Sequence, residues 1–324
     1  MNLCLERCCV SNEAIDKLAP SLVALVQRGT GLATRAMSAR VIVRLATSCP
    51  KLLKSHADSM LRPLSNGLTD RSVTVRKEFG KAIGQVARLC KKRSVTRLVE
   101  RLLNDYTESD PSDEKTRHAA GVALMALVTT APSKLKKCVS QLIPISFIAK
   151  FSNEQAVKDI WESVWNEITV TTQQGIKLHL KEVITTVLSV LGAGSHDLRR
   201  QGADALTEVL KSVEAKDFQD TDLVDQIESS MVSALTGRFW AGKDAVLKAT
   251  VALATLCPTK MIEKIPKLVE RFMRECGRER ESVVYSRESV TQLGLLLNAA
   301  PSVDAYRTGK VVVVVVVVVV NIVV

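Results

Sequence analysis

The feature that most constrains this chain is its punctuation. Turn-forming residues recur at Gly29–Gly31, Asp70–Arg71, Asp110–Pro111, Ser152–Asn153, Gly192–Gly194, Gly237 and Gly277, at steps of roughly 40 to 44 residues. A fold with one closed core has no reason to break its chain at a constant interval, whereas stacked copies of one small unit must do so. A second series of breaks lies between the first. Pro50, Pro132, Pro258 and Pro301 are separated by close to whole multiples of the same period. Proline is tolerated in the first turn of a helix, so these positions read as helix openings.

Each half-period has the pattern of an amphipathic helix. Ile15, Leu18, Leu22, Leu25 and Val26 share one stripe, as do Val75, Phe79, Ala82, Ile83, Val86 and Leu89. Ala36, Ala39, Ala82, Ala119, Ala120, Ala203 and Ala245 recur in the second helix of a pair, where small side chains let helices approach closely. Aromatics make up only 4% of the chain, which suits helix packing better than sheet. The fold expected is all-α, an α-solenoid of about seven helix pairs. Residues 1–11 form a lead-in, residues 12–300 hold the pairs, and residues 301–324 hold a cut-off next repeat and a tail. The fourth pair is the least regular, because Phe151 to Thr172 carries weak stop signals.

The pattern resembles HEAT repeats. Ala19-Pro20, Arg62-Pro63, Ile143-Pro144 and Ile265-Pro266 recur in first helices, and Asp70 with Val75-Arg76 resembles the family's signature across the intra-repeat turn. Leu32 to Arg35, Val41 to Val43, Gly67 to Arg71 and Gly237 to Lys243 are similar to the C-terminal part of a family of proteasome adaptor and scaffold proteins. Members of that family are several times longer, so the resemblance implies a piece of a larger protein. It also implies a non-catalytic protein-binding scaffold, cytoplasmic and nuclear, whose partners are subunits of the regulatory and catalytic particles of the proteasome. The tail departs from the family. Val311 to Val320 is a run of ten valines, shorter than the roughly 20 apolar residues of a membrane-spanning helix. It reads as low-complexity sequence.

No constellation of catalytic or metal-binding residues is present in the sequence. The eight cysteines include no Cys-x-x-Cys pair, and most fall in apolar helical stretches, which points to a reducing compartment. His56, His118, His179 and His196 are isolated from one another. No cofactor and no small-molecule substrate are expected. Gly237 to Asp244 nearly spells a phosphate-binding loop, but Asp244 replaces the hydroxyl residue that would hold magnesium, and the preceding segment reads as helix. The alternative is an intra-repeat turn, with Gly237 ending a helix and Trp240 packed between layers. Trp161 and Trp165, four apart, suit either the core or a partner interface.

The net charge is +11. Basic clusters stand at Lys91-Lys92-Arg93 with Arg97 and Arg101, at Lys134, Lys136 and Lys137, at Arg199-Arg200, and at Arg274, Arg278 and Arg280. Several are expected near helix C-termini, where cations complement the dipole. They form either a solvated face or a ridge that draws an acidic protein partner. The rival class is a HEAT-type binder of nucleic acid or a transport-factor-like adaptor, although no interleaved aromatics mark a base-stacking surface. Arg238 and Lys243 are the candidate protein-binding residues, flanking the turn. Asp70 and Arg76 are expected to tie stacked repeats together, and Gly237 and Trp240 to shape their turn.

Overall fold

The computed structural model describes residues 11–29, 31–218, 221–278 and 282–299, so the ten-valine run, Pro301 and Arg280 lie outside the described residues. All regular structure among them is helical. The helices fall into two compact units that divide after Val170.

In the first unit, α1 (Asn12–Arg28) pairs with α2 (Leu32–Ser48), α3 (Pro50–Asn66) with α4 (Val73–Leu89), and α5 (Lys92–Glu108) with α6 (Glu114–Thr130). The fourth pair has a broken first member, α7 (Pro132–Leu135) and α8 (Val139–Ala149), facing α9 (Gln155–Ile168). In the second unit, α10 (Thr172–Leu178) and α11 (Leu180–Leu191) face α12 (His196–Ser212). There α13 (Thr221–Leu235) faces α14 (Lys243–Leu256), and α15 (Pro258–Met261) with α16 (Ile265–Cys276) faces α17 (Val283–Ala299). The described helices thus form the seven pairs that the turn spacing predicts.

Local chemistry sets the boundaries. Ser11, Asp113 and Thr171 cap their helices by accepting the backbone N–H of Ala14, Thr116 and Gln174. Pro50, Pro132 and Pro258 occupy first turns, as their spacing predicts. Pro20, Pro63 and Pro144 instead lie inside helices, where each removes one backbone hydrogen bond.

Second helices pack directly on one another within each unit, through faces made of small residues. A Cβ on Gly84 would lie 2.7 Å from Thr130 Oγ1 and 2.9 Å from the Ala126 carbonyl. One on Gly121 would lie 2.7 Å from Ile160 Cγ2. Glycine is what lets α4, α6 and α9 approach this closely. First helices supply the bulk, including buried Leu53, Met60, Leu64, Val95, Val99 and Leu102. Trp161 and Trp165 are wholly buried, which removes them as exposed partner anchors. Trp161 Nε1 donates to the Arg117 carbonyl at 3.0 Å, and its ring lies 4.7 Å from that of Tyr106. No described helix is long and apolar enough to cross a membrane.

Candidate functional site

Four arginines stand at equivalent places, each bracing the turn before its own helix. Arg35, Arg76, Arg117 and Arg199 each donate to the carbonyl six residues earlier, on Gly29, Asp70, Pro111 and Ala193, at 3.5, 2.7, 3.1 and 2.6 Å. The Asp70 carboxylate reaches Arg35 at 3.0 Å, joining the second turn to the first. Its Oδ1 also accepts the Ser72 N–H at 2.9 Å, closing the turn. The work expected of Asp70 and Arg76 is therefore divided. Asp70 reaches the neighbouring repeat, and Arg76 holds its own turn. The recurrence of Arg35 and Arg117 at 41 residues from Arg76 was a signal available in the sequence and not used.

In the second unit, the turn between α13 and α14 is held from several sides. Gly237 and Gly242 have φ of 89° and 101°, a region that side-chain-bearing residues rarely adopt. The Gly237 carbonyl accepts Arg278 Nη2 at 2.7 Å. Trp240 is buried, donates from Nε1 to the Ala234 carbonyl at 3.3 Å, and stacks on His196 with centroids 5.5 Å apart. Gly237 and Trp240 thus occupy the turn and packing places that the sequence suggests.

Arg238 and Lys243 part company. Arg238 is exposed. Lys243 is fully buried, with its Nζ 3.0 Å from Glu275 Oε1. It does not reach solvent, so the expectation that it meets a partner at the surface is corrected. The cause is a carboxylate 32 residues away, on the next repeat, which gives the ammonium a paired place inside the stack. Glu275 Oε2 also accepts the Tyr285 hydroxyl at 2.8 Å and forms an ion pair with Arg278, whose Nε lies 2.7 Å away. Burial and then the hydrogen bond to Glu275 push the Tyr285 hydroxyl well above its ordinary value. This arrangement also disposes of the phosphate-loop resemblance. The lysine faces Glu275, Asp244 pairs with Lys248 at 3.1 Å, and the segment before Gly237 is a helix.

No group of three His, Cys, Asp or Glu side chains fit to hold a metal occurs among the described residues. His56 faces Asp16 at 2.7 Å, and burial with Arg76 nearby pushes His118 down. Burial raises the thiols of Cys90, Cys138, Cys257 and Cys276, which keeps them protonated and unreactive.

Many basic side chains tie one repeat to the last. Lys134 Nζ donates to the Cys90 carbonyl at 2.7 Å, Lys260 Nζ to the Phe218 carbonyl at 2.9 Å, and Arg271 to Thr236 Oγ1 at 2.9 Å. Arg274 lies in the last turn of α16, as a dipole-complementing cation should. Lys91, Lys92 and Arg93 do not follow that expectation. They stand at the start of α5, the positive end of its dipole, on exposed positions.

Comparison with known proteins now bears on this arrangement. The family model described as "Proteasome adapter and scaffold protein ECM29, HEAT-repeat domain" matches residues 1–107. Over 295 residues the chain is 28% identical to the Homo sapiens protein named "Proteasome adapter and scaffold protein ECM29", covering 86% of this chain. The chain is thus similar to Ecm29 proteins over most of its length. Similarity extends to "Proteasome component ecm29" of Schizosaccharomyces pombe, at 21% identity over 300 residues and 91% of this chain. The chain spans 15% of the length of human ECM29 and 17% of the fission yeast protein. Among solved structures, karyopherin Kap121p, crystallised bound to RanGTP, aligns with 94% of this chain and 32% of its own, at a TM-score of 0.51 and 12% identity. That likeness concerns the fold alone.

Proposed function

We propose that this chain is a protein-binding segment of a proteasome scaffold, acting without chemistry of its own in the reducing cytoplasm and nucleus. The observation that carries the reading is the similarity to ECM29 over 86% of the chain. The construction agrees with it. Stacked pairs spend much of their polar chemistry on holding turns and repeats, as Arg76, Asp70 and Lys134 do, and leave exposed ridges between helices for partners. The finer part of the proposal is that the segment helps join the regulatory to the catalytic particle, with Arg238 at the rim of a contact.

A nucleic-acid reading is favoured by one observation, the net charge of +11. Salt separates the two. Binding to a duplex through phosphates falls log-linearly and steeply as salt rises. The full chain should bind purified proteasome particles at physiological salt while its retention of duplex DNA collapses. Tight DNA binding at that salt, with no proteasome binding, would reject the scaffold reading.

A further inference from the structure

A groove of about 420 Å³ opens between α3 and α5, lined by Asp58, Leu61, Arg62, Arg97, Leu98 and Arg101. Its floor is aliphatic and its walls are guanidinium groups. Arg101 is anchored, donating to Ser65 Oγ at 3.3 Å and Asn66 Oδ1 at 3.0 Å and lying 3.7 Å from Asp105. Arg62 and Arg97 are exposed, and their guanidinium groups have no ion-pair or hydrogen-bond partner among the described residues. The acid in the groove is already engaged, because Asp58 Oδ1 accepts the Lys91 backbone N–H at 3.1 Å.

The surrounding charge deepens the imbalance. Arg93, Arg97 and Arg101 are four residues apart and so share one stripe of α5. Lys91, Lys92 and Arg93 add cations to the N-terminal end of the same helix, whose first turn contains no acid. The helix dipole disfavours cations at that end. Lys134, Lys177 and Lys264, by contrast, find carbonyls or carboxylates one repeat away. The charge of Arg62 and Arg97 is therefore not spent on internal ties, and that of Lys91, Lys92 and Arg93 is not placed where the backbone favours it.

We propose that the groove between α3 and α5 docks an acidic segment of a partner protein, with carboxylates on Arg62 and Arg97 and an aliphatic side chain over Leu61 and Leu98. A planar guanidinium matches a carboxylate in two parallel hydrogen bonds. The aliphatic floor favours a peptide over a polyphosphate, and no aromatic ring lines the groove to stack a base. The inference deepens the scaffold reading and rests on it for the partner being a protein.

The test uses the full chain and a fluorescein-labelled peptide of Glu-Glu-Leu repeats, read by anisotropy. A matched Glu-Glu-Ser peptide and a single-stranded oligonucleotide of equal charge serve as competitors. The double variant Arg62→Glu with Arg97→Glu should bind the Leu-containing peptide about tenfold more weakly or worse. Its neutral counterpart, Arg62→Gln with Arg97→Gln, should fall between it and the wild type. Reversing two other exposed cations, Lys77→Glu with Lys158→Glu, should leave binding unchanged, and all variants should melt with the wild type. Equal peptide binding by wild type and the Arg62/Arg97 reversal overturns the groove, as does an equal loss in the Lys77/Lys158 control. Displacement of the peptide by the oligonucleotide at lower concentration than by Glu-Glu-Ser overturns the protein partner. Proteasome binding measured in parallel separates the two levels. A wild type that discriminates as described but binds no proteasome overturns the scaffold reading and supports the groove.

Discussion

Lys243 and Glu275 are taken out of water together, and each offsets part of the other's desolvation. Lys243→Ala would leave Glu275 with Arg278 and Tyr285 but without its closest buried cation. It should cost about 3–5 kcal/mol, read as a lower denaturant midpoint at unchanged slope. Arg238→Glu, one turn away and exposed, should shift that midpoint by no more than about 0.5 kcal/mol. If both variants unfold alike, the buried pair has been misread. The thiols give a pH signature. Burial holds Cys90 and Cys276 at about 12 against an ordinary 9.0, so the folded chain keeps protons that the unfolded chain releases. Their contribution is complete below about pH 9 and is lost as pH rises toward about 12. The fall in melting temperature across that alkaline window should be shallower in Cys90→Ala; an unchanged slope would count against the burial of the thiol. At this scale the sequence was informative where partners are local. Asp70 and Arg76 lie six residues apart and were legible as one turn, although Arg76 meets the Asp70 carbonyl instead of the neighbouring repeat expected for it. Lys243 could not be paired on sight, because its partner belongs to another repeat.

At the scale of the helix, what matters is how closely second helices approach. Gly84→Ala places a methyl group 2.9 Å from the Ala126 carbonyl, a backbone atom that cannot rotate aside. The expected cost is about 1–3 kcal/mol, from overpacking between α4 and α6. A melting temperature equal to wild type would mean that the two helices are less tightly apposed than described. Trp240→Ala removes a buried ring that stacks on His196 and should cost about 3–5 kcal/mol by the same measurement. Helix existence was legible from apolar stripes and alanine positions, because those depend on spacing along one helix. Breaks within first helices were not. Pro132 and Pro258 mark where helices open, but nothing in the apolar pattern marks the interruptions after Leu135 and Met261.

At the scale of the molecule, stability is a sum of contacts between neighbouring pairs, so the chain needs no closed core. The interval of turns predicted that construction, since only repetition explains a constant spacing. It did not predict the division after Val170, which depends on the packing of whole helices. Nor did it separate charge that braces repeats from charge left for partners. Lys134 stands in a basic cluster of the sequence just as Arg97 does, and only the structure shows its ammonium group on a carbonyl oxygen. The central claim is that this segment is part of what lets an Ecm29-like scaffold hold proteasomes. Co-sedimentation of the purified chain with purified proteasome through a density gradient tests it most directly. The account predicts saturable migration with the particles at physiological salt, weakened by charge reversal at Arg62 and Arg97 but not at Lys77 and Lys158. A folded chain that stays at the top of the gradient at every proteasome concentration would contradict it.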